Sequence, residues 1–488
     1  MKTYTRKEFF KVATATGITF FLAACGISNK KKEKETSAQV PDSSKKVIPE
    51  KVPSTNLDLV DKKDPRYETL RKGFNKRFDK YPAIIALCSS TEEVAAAIRY
   101  GHEKSLPIAI KSGGHSTEGF SVNDGGMVIN LSKLNKVEIL DGGKIKVGPG
   151  CTLSDLNDTI LPQGRLLPAG SCATVGIGGL TLGGGYGLFS RKFGLTCDHM
   201  IEATMVDGQG NIHSTKDDDE LLWALRGGGA GNFGVITEMI FNTHPAPTVM
   251  QGHYFKARKL TAEKAASILQ TWMELCTQLP DSCLSGYVLN GSTLNIIITN
   301  YEPANDSKLQ PLITKLAAVT DESKSSHWGK LAIMLKNHYG SDKPVNLRNS
   351  SAGLYKGYND ISSCITQVLE KVITTPGMIY QVDTLGGKVD DEEFKKLSSY
   401  PHRGFDFLSE LQAYWDTPAQ EKRLADSTTH ILKIIQQNGI TRQYVNYCSI
   451  EFNDWENAYY GENYKRLQAV KQKYDPDNNI RHPQSIKA

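Results

Sequence analysis

Seven of the twelve residues from 176 to 187 are glycine: Gly176, Gly178, Gly179, Gly183, Gly184, Gly185 and Gly187. Glycine loses more conformational freedom on folding than any other residue, so a run this dense must answer a demand for close backbone approach. Main-chain N–H groups without side chains around them can cradle an anion such as a pyrophosphate. A flexible linker would lack the interleaved Ile177, Leu180, Leu182, Tyr186, Leu188 and Phe189. In a second cluster, 226–234, Gly229, Gly231 and Gly234 satisfy the spacing Gly-x-Gly-x-x-Gly. In a dinucleotide fold that string follows a strand and opens a helix. Here it precedes the β-branched, strand-like run 235–241, which argues against a Rossmann NAD site. No Gly-Lys pair is followed by Ser or Thr, so a P-loop is absent as well.

Two short stretches carry the chemistry. Ser112-Gly113-Gly114-His115-Ser116 and Gly170-Ser171-Cys172-Ala173-Thr174-Val175-Gly176 each set one nucleophilic side chain among residues small enough to admit a flat ligand. An imidazole nitrogen and a thiol can both bond to an electrophilic flavin ring. Their joint presence points to a flavin held by two protein bonds, and so to redox chemistry.

A chain of 488 residues is too long for one ordinary core and implies two or three domains. The formal charge of +5 is small for this length and gives no case for nucleic-acid binding. The nine cysteines form no Cys-x-x-Cys pair, which argues against a zinc ribbon or a thioredoxin-like site, and no metal site is expected. The N-terminus reads as an export signal: Lys2, Arg6, Lys7 and Lys11 precede a short apolar run, 12–24, ending in Leu22-Ala23-Ala24-Cys25. That ending resembles the bacterial lipobox, whose cysteine is lipidated. Residues 5–11 resemble a relaxed twin-arginine signal, with Lys7 in place of the second arginine. Residues 26–56, rich in Lys, Glu, Ser and Pro, are expected to form a disordered tether to the membrane.

Beyond the tether, 91–98 reads as a helix start and its apolar face, and 106–111, 127–131 and 144–147 read as strands. Residues 261–279 read as an amphipathic helix with Ala265, Ile268, Leu269, Trp272 and Leu275 on one face, and 284–301 as strands.

These runs resemble FAD-linked oxidases of the berberine-bridge-enzyme type, which have the vanillyl-alcohol-oxidase, or PCMH-type, FAD-binding fold. The similarity runs from about residue 70 to the C-terminus. It rests on 110–116, the Cys172 segment, 178–187, 223–229, Tyr444-Val445-Asn446-Tyr447, 459–467 and Asp475-Pro476-Asp477-Asn478 with the final 483–486. The resemblance implies an α+β protein: a two-part FAD-binding domain over 57–250, a substrate domain with an antiparallel sheet backed by helices over 251–440, and a return to the FAD-binding domain over 441–488.

By the same resemblance His115 bonds the flavin 8α carbon and Cys172 its C6. Ser112, Gly113, Gly114 and Ser116, with Lys111, surround the first link, and Gly170, Val175 and Gly176 the second. Gly178, Gly179, Gly183, Gly185 and Gly187, with Gly234, Val235 and Asn446, complete the cofactor site. Tyr447 becomes the base that removes a hydroxyl proton while the adjacent C–H leaves as hydride to the flavin. Tyr444 lies beside it, Asp383 is the assisting carboxylate, and Gln412 is a further polar position. The expected substrate is a small alcohol or hemiacetal, a sugar or oligosaccharide being one candidate, with oxygen or another acceptor taking the electrons. Oxidative cyclisation or desaturation of a secondary metabolite is the alternative activity, and a non-catalytic surface flavoprotein the alternative class. The sequence departs from the family pattern at Leu180, Lys111, Thr117 and Ser449.

Overall fold

A computed structural model describes residues 57–336, 338 and 343–488. The export signal, Cys25 and the tether lie outside these described residues.

The first sheet is mainly parallel. Its strands run in the order Asp58–Val60, Ile84–Leu87, Met127–Asn130, Ile108–Lys111. Ile84–Leu87 and Ile108–Lys111 both pair in parallel with Met127–Asn130, and Asp58–Val60 is antiparallel at the edge. Helix Thr91–Glu103 makes the crossover, started by Ser90, whose side chain accepts from the Glu93 N–H. Its buried Val94, Ala95, Ala97 and Ile98 join Met127 and Ile129 in one apolar cluster.

The second sheet is antiparallel, in the order Val137–Leu140, Lys144–Val147, Gly234–Asn242, Met200–Asp207, Ile212–Ser214. The third has eight strands, all antiparallel, and spans Val249–Ala257 to Phe407–Trp415. Three of its neighbours matter for the site: Cys283–Asn290, Met378–Thr384 and Phe407–Trp415, with Asn346–Tyr355 beside the last. Side chains alternate across these strands. Tyr287, Leu289, Tyr380, Val382, Phe407 and Leu411 pack into the core shared with helices Ala262–Cys276, Ile365–Thr374 and Pro418–Gln437. Trp272 of the first helix donates to Ser285 at 2.8 Å. The intervening residues turn to the opposite face.

After these strands the chain returns. Helices Trp455–Tyr460 and Tyr464–Tyr474 lead to a tail in which Ile480 bridges in parallel to Ile108 of the first sheet. Lys471 and Asp475, both fully buried, pair at 2.6 Å, and Lys471 also donates to the carbonyls of Asn232 and Ile480.

The glycine run differs from its expected form. Residues Ile177–Leu182 form a short helix, and several glycines are required by contacts within the protein. A Cβ at Gly187 would stand 1.8 Å from the Ala169 carbonyl oxygen, and one at Gly178 would stand 2.8 Å from Pro149.

Candidate active site

A cavity of about 440 Å³ lies between the first two sheets and the inner face of the third. The two nucleophile loops form one wall, and they meet through bare backbone. A Cβ on Gly113 would stand 2.3 Å from the Gly176 nitrogen, and one on Gly176 would stand 2.1 Å from Ser112 Oγ. Ser112 Oγ donates to the Pro149 carbonyl at 2.6 Å, which pins the first loop. The Leu153 and Ser154 N–H groups donate to the carbonyls of Val175 and Ala173 and pin the second. The segments bearing His115 and Cys172 are thereby held side by side, and both residues line the cavity.

The His115 ring stacks on Phe74 with centroids 4.1 Å apart, and its Nε2 lies 2.9 Å from Thr174 Oγ1 of the cysteine loop. Burial lowers its pKa to about 4, so the imidazole is neutral at pH 7 and keeps a nitrogen lone pair. Ser116, Gly114, Gly170, Val175, Gly178, Gly179, Gly187 and Gly234 line the same cavity.

Four residues expected at the cofactor do not line it. Lys111 does not face the cavity; its Nζ donates to the Leu70 and Lys72 carbonyls. Val235 alternates with the cavity-lining Gly234 and Ile236, so its side chain joins the core around Val206 and Ile98. Gly183 makes room for Asn446, whose Oδ1 would stand 2.0 Å from an added Cβ. Gly185 makes room for Thr196. The last two glycines serve the fit of the protein to itself.

Strand alternation builds the far end. Asp383 stands opposite Leu408, and Gln381 opposite Glu410, so Asp383 and Glu410 are diagonal neighbours on one face. Gln412 stands opposite Asn349 on the other side of its strand. Gly286 lies opposite Asp383, and a Cβ there would come within 2.7 Å of Asp383 Oδ1; the glycine leaves space for the carboxyl. The side chains form a chain of hydrogen bonds. Tyr414 donates to Gln412 at 2.8 Å, Gln412 donates to Glu410, Asn349 donates to Glu410 at 3.1 Å, and Gln381 donates to Asp383 at 2.7 Å.

Burial raises both carboxyls to about 7, and the Asp383 charge adds to the effect on Glu410. Tyr447 faces the same space, edge-on to Tyr444 with ring centroids 5.1 Å apart. Burial, and then the charges of Glu410 and Asp383, push its phenol well above the usual value. Tyr444 accepts from the backbone N–H groups of Gly185 and Tyr186 and from Asn446, while Asn446 also donates to the Leu180 carbonyl. Its pKa is pushed up to about 12 by burial. Tyr444 thus ties the C-terminal return to the glycine run.

Glu410 was missed in the sequence. The signal was there: it sits two residues before Gln412, and period two places both on one face.

The family description "FAD binding domain" matches residues 82–216, and "Berberine and berberine like" matches 443–487. The chain is 30% identical over 441 residues to the uncharacterized FAD-linked oxidoreductase YgaK of Bacillus subtilis (strain 168), covering 88% of this chain and 96% of that one. This chain belongs to the berberine-bridge-enzyme-like FAD-linked oxidoreductases. A chitooligosaccharide oxidase of Gibberella zeae is 31% identical over 445 residues, 85% of this chain and 89% of its own. A solved chitooligosaccharide oxidase superposes with a TM-score of 0.78 at 26% identity, over 88% of this chain and 97% of that one. The oxidoreductase fold and its FAD-binding domain follow from this membership. The cavity fits the cofactor: a Cβ at the cavity-lining Gly179 would project into open space free of protein atoms, and a neutral imidazole and a thiol both line the cavity.

Proposed function

We propose that this FAD-linked oxidoreductase holds its flavin through both His115 and Cys172 and oxidises an alcohol or hemiacetal carbon of a sugar or oligosaccharide. The observation that carries the proposal is the meeting of both nucleophile loops with Tyr447 and a buried polar network around one cavity. The similarity to a chitooligosaccharide oxidase supports the substrate class.

FAD, when bound, supplies the two-electron acceptor. The protein manages the proton and the pose. Tyr447 takes the substrate hydroxyl proton at its phenolic oxygen. Ionised phenolate is unfavourable here, because burial and two neighbouring carboxyls oppose it. The phenol therefore passes its own proton on to a carboxylate of the Asp383–Glu410 pair as it accepts another. Gln381 and Gln412 present amide groups that can orient sugar hydroxyls. Tyr444 fixes the loop that carries Tyr447. Oxygen or another acceptor receives the electrons afterwards. The export signal and lipidated Cys25 belong to the same proposal and place the enzyme at the bacterial cell envelope.

Acid precipitation of the purified protein should leave the flavin colour in the pellet, and colour lost to the supernatant would overturn covalent attachment. Anaerobic mixing with oligosaccharides should bleach the flavin absorbance. Tyr447→Phe should slow that bleaching by about 10²-fold or more, the scale of a general base. An unchanged rate would remove Tyr447 from the reaction.

A further inference from the structure

The substrate end of the cavity contains a charge problem that the protein does not solve by itself. Asp383 and Glu410 are 8% and 4% exposed and share one face of the sheet. Every hydrogen bond that reaches them from a side chain comes from a neutral amide: Gln381 for Asp383, Asn349 and Gln412 for Glu410. Neutral donors do not balance a full charge removed from water. Among the described residues, no lysine, arginine or histidine contributes to holding either carboxyl in its charged form. Arg481 is the one lysine or arginine that lines the cavity among the described residues. It belongs to the C-terminal tail, where the adjoining His482 stacks on Phe120 and faces Gly231. Other buried acids in this protein are treated differently. Asp198 meets Arg403 at 2.6 Å, Glu118 meets Arg77 at 2.8 Å, and Asp475 meets Lys471. Among the described residues, the two acids that face the open cavity are the ones left without a cation.

We infer that Glu410, with Asp383, is a specificity-determining residue that selects substrates carrying a protonated amine close to the alcohol carbon to be oxidised, as in an amino sugar with a free amino group. The ammonium supplies the missing counter-charge. It donates to Glu410 and Asp383 in charge-assisted hydrogen bonds, while Gln381 and Gln412 take neighbouring hydroxyls. A neutral sugar of the same size, or an N-acetylated one, leaves the acids unbalanced and must enter with them protonated. This inference rests on the alcohol-oxidising function proposed above and names its substrate class.

The test uses the flavin-loaded enzyme and three sugars of equal length: a glucosamine oligomer, its N-acetylated form, and a glucose oligomer. Anaerobic bleaching gives kcat/KM for each. The glucosamine oligomer should exceed both others by roughly tenfold or more, the scale of one charge-assisted contact. Glu410→Gln should shrink that ratio toward one, and Glu410→Asp should restore part of it. Equal or better use of the neutral sugars by the unaltered enzyme overturns the inference and leaves the alcohol-oxidising function standing. A ratio unchanged by Glu410→Gln also overturns it. If none of the three sugars bleaches the flavin, the functional proposal has failed for sugars, and calorimetric binding decides the inference separately. Binding of the glucosamine oligomer in preference to the N-acetylated one, lost in Glu410→Gln, supports it, and equal binding overturns it.

Discussion

Asp383 and Glu410 hold their protons to about pH 7, whereas ordinary carboxyls release theirs near 3.8 and 4.5. Between about pH 4 and 7 the unfolded chain therefore binds fewer protons at these positions than the folded one. Stability from this pair is complete below the unfolded values and is lost as pH rises through the folded ones. Glu410→Gln removes one of the two groups. Urea titrations at pH 4.5 and 8 should show the wild type losing about 3 kcal/mol more than the variant across that interval, at roughly 1.4 kcal/mol for each tenfold difference in proton affinity. Equal losses would show that Glu410 titrates normally. The same residue shows how far side chains could be read from the sequence. Asp383 and Gln412 belonged to recognisable segments, and the structure puts both in the cavity wall. Glu410 belonged to no motif, and only the strand period, applied outward from Gln412, would have exposed it.

Elements built on a strong local signal were legible. Residues 261–279 read as a helix, and Ala262–Cys276 is helical, with Thr261 capping it by accepting from the Lys264 N–H. The strands expected within 284–301 are Cys283–Asn290 and Thr293–Asn300. The glycine run was harder, because glycine required by a ligand and glycine required by a neighbouring segment look alike in one sequence. Gly183 makes room for Asn446, a contact that depends on a chain return more than 200 residues away, and Gly185 makes room for Thr196. Gly113 tests the loop-to-loop contact directly. Gly113→Ala places a methyl group 2.3 Å from the Gly176 nitrogen, where neither backbone can yield cheaply. Overpacking of this kind costs about 1–3 kcal/mol. The ratio of flavin to protein absorbance should fall well below that of the wild type, and full flavin content would mean that the loops tolerate separation.

At the scale of the molecule, the C-terminal return is fastened by a buried ion pair. Lys471 and Asp475 have no exposed side-chain surface, and Lys471 spans the Asn232 carbonyl of one loop and the Ile480 carbonyl of the tail. Asp475→Ala would leave the ammonium buried without its counter-charge, a loss of about 3–5 kcal/mol. The urea midpoint should drop accordingly, and a midpoint unchanged within error would show that water replaces the carboxylate. The ion pair itself is local, four residues apart, but the Asn232 carbonyl that Lys471 reaches is 239 residues away in the chain, and no local pattern announced that contact.

The register of Ile480 beside Ile108 has a consequence for biosynthesis. Walls begun around Ile108 are finished around Ile480, more than 300 residues later, so a chain in which only the earlier segment has been made has no enclosed chamber to offer. Coenzyme capture must wait until the segment around Ile480 has been made and docked, and any transport route that moves this protein with its coenzyme already in place must accept these distant segments folded together.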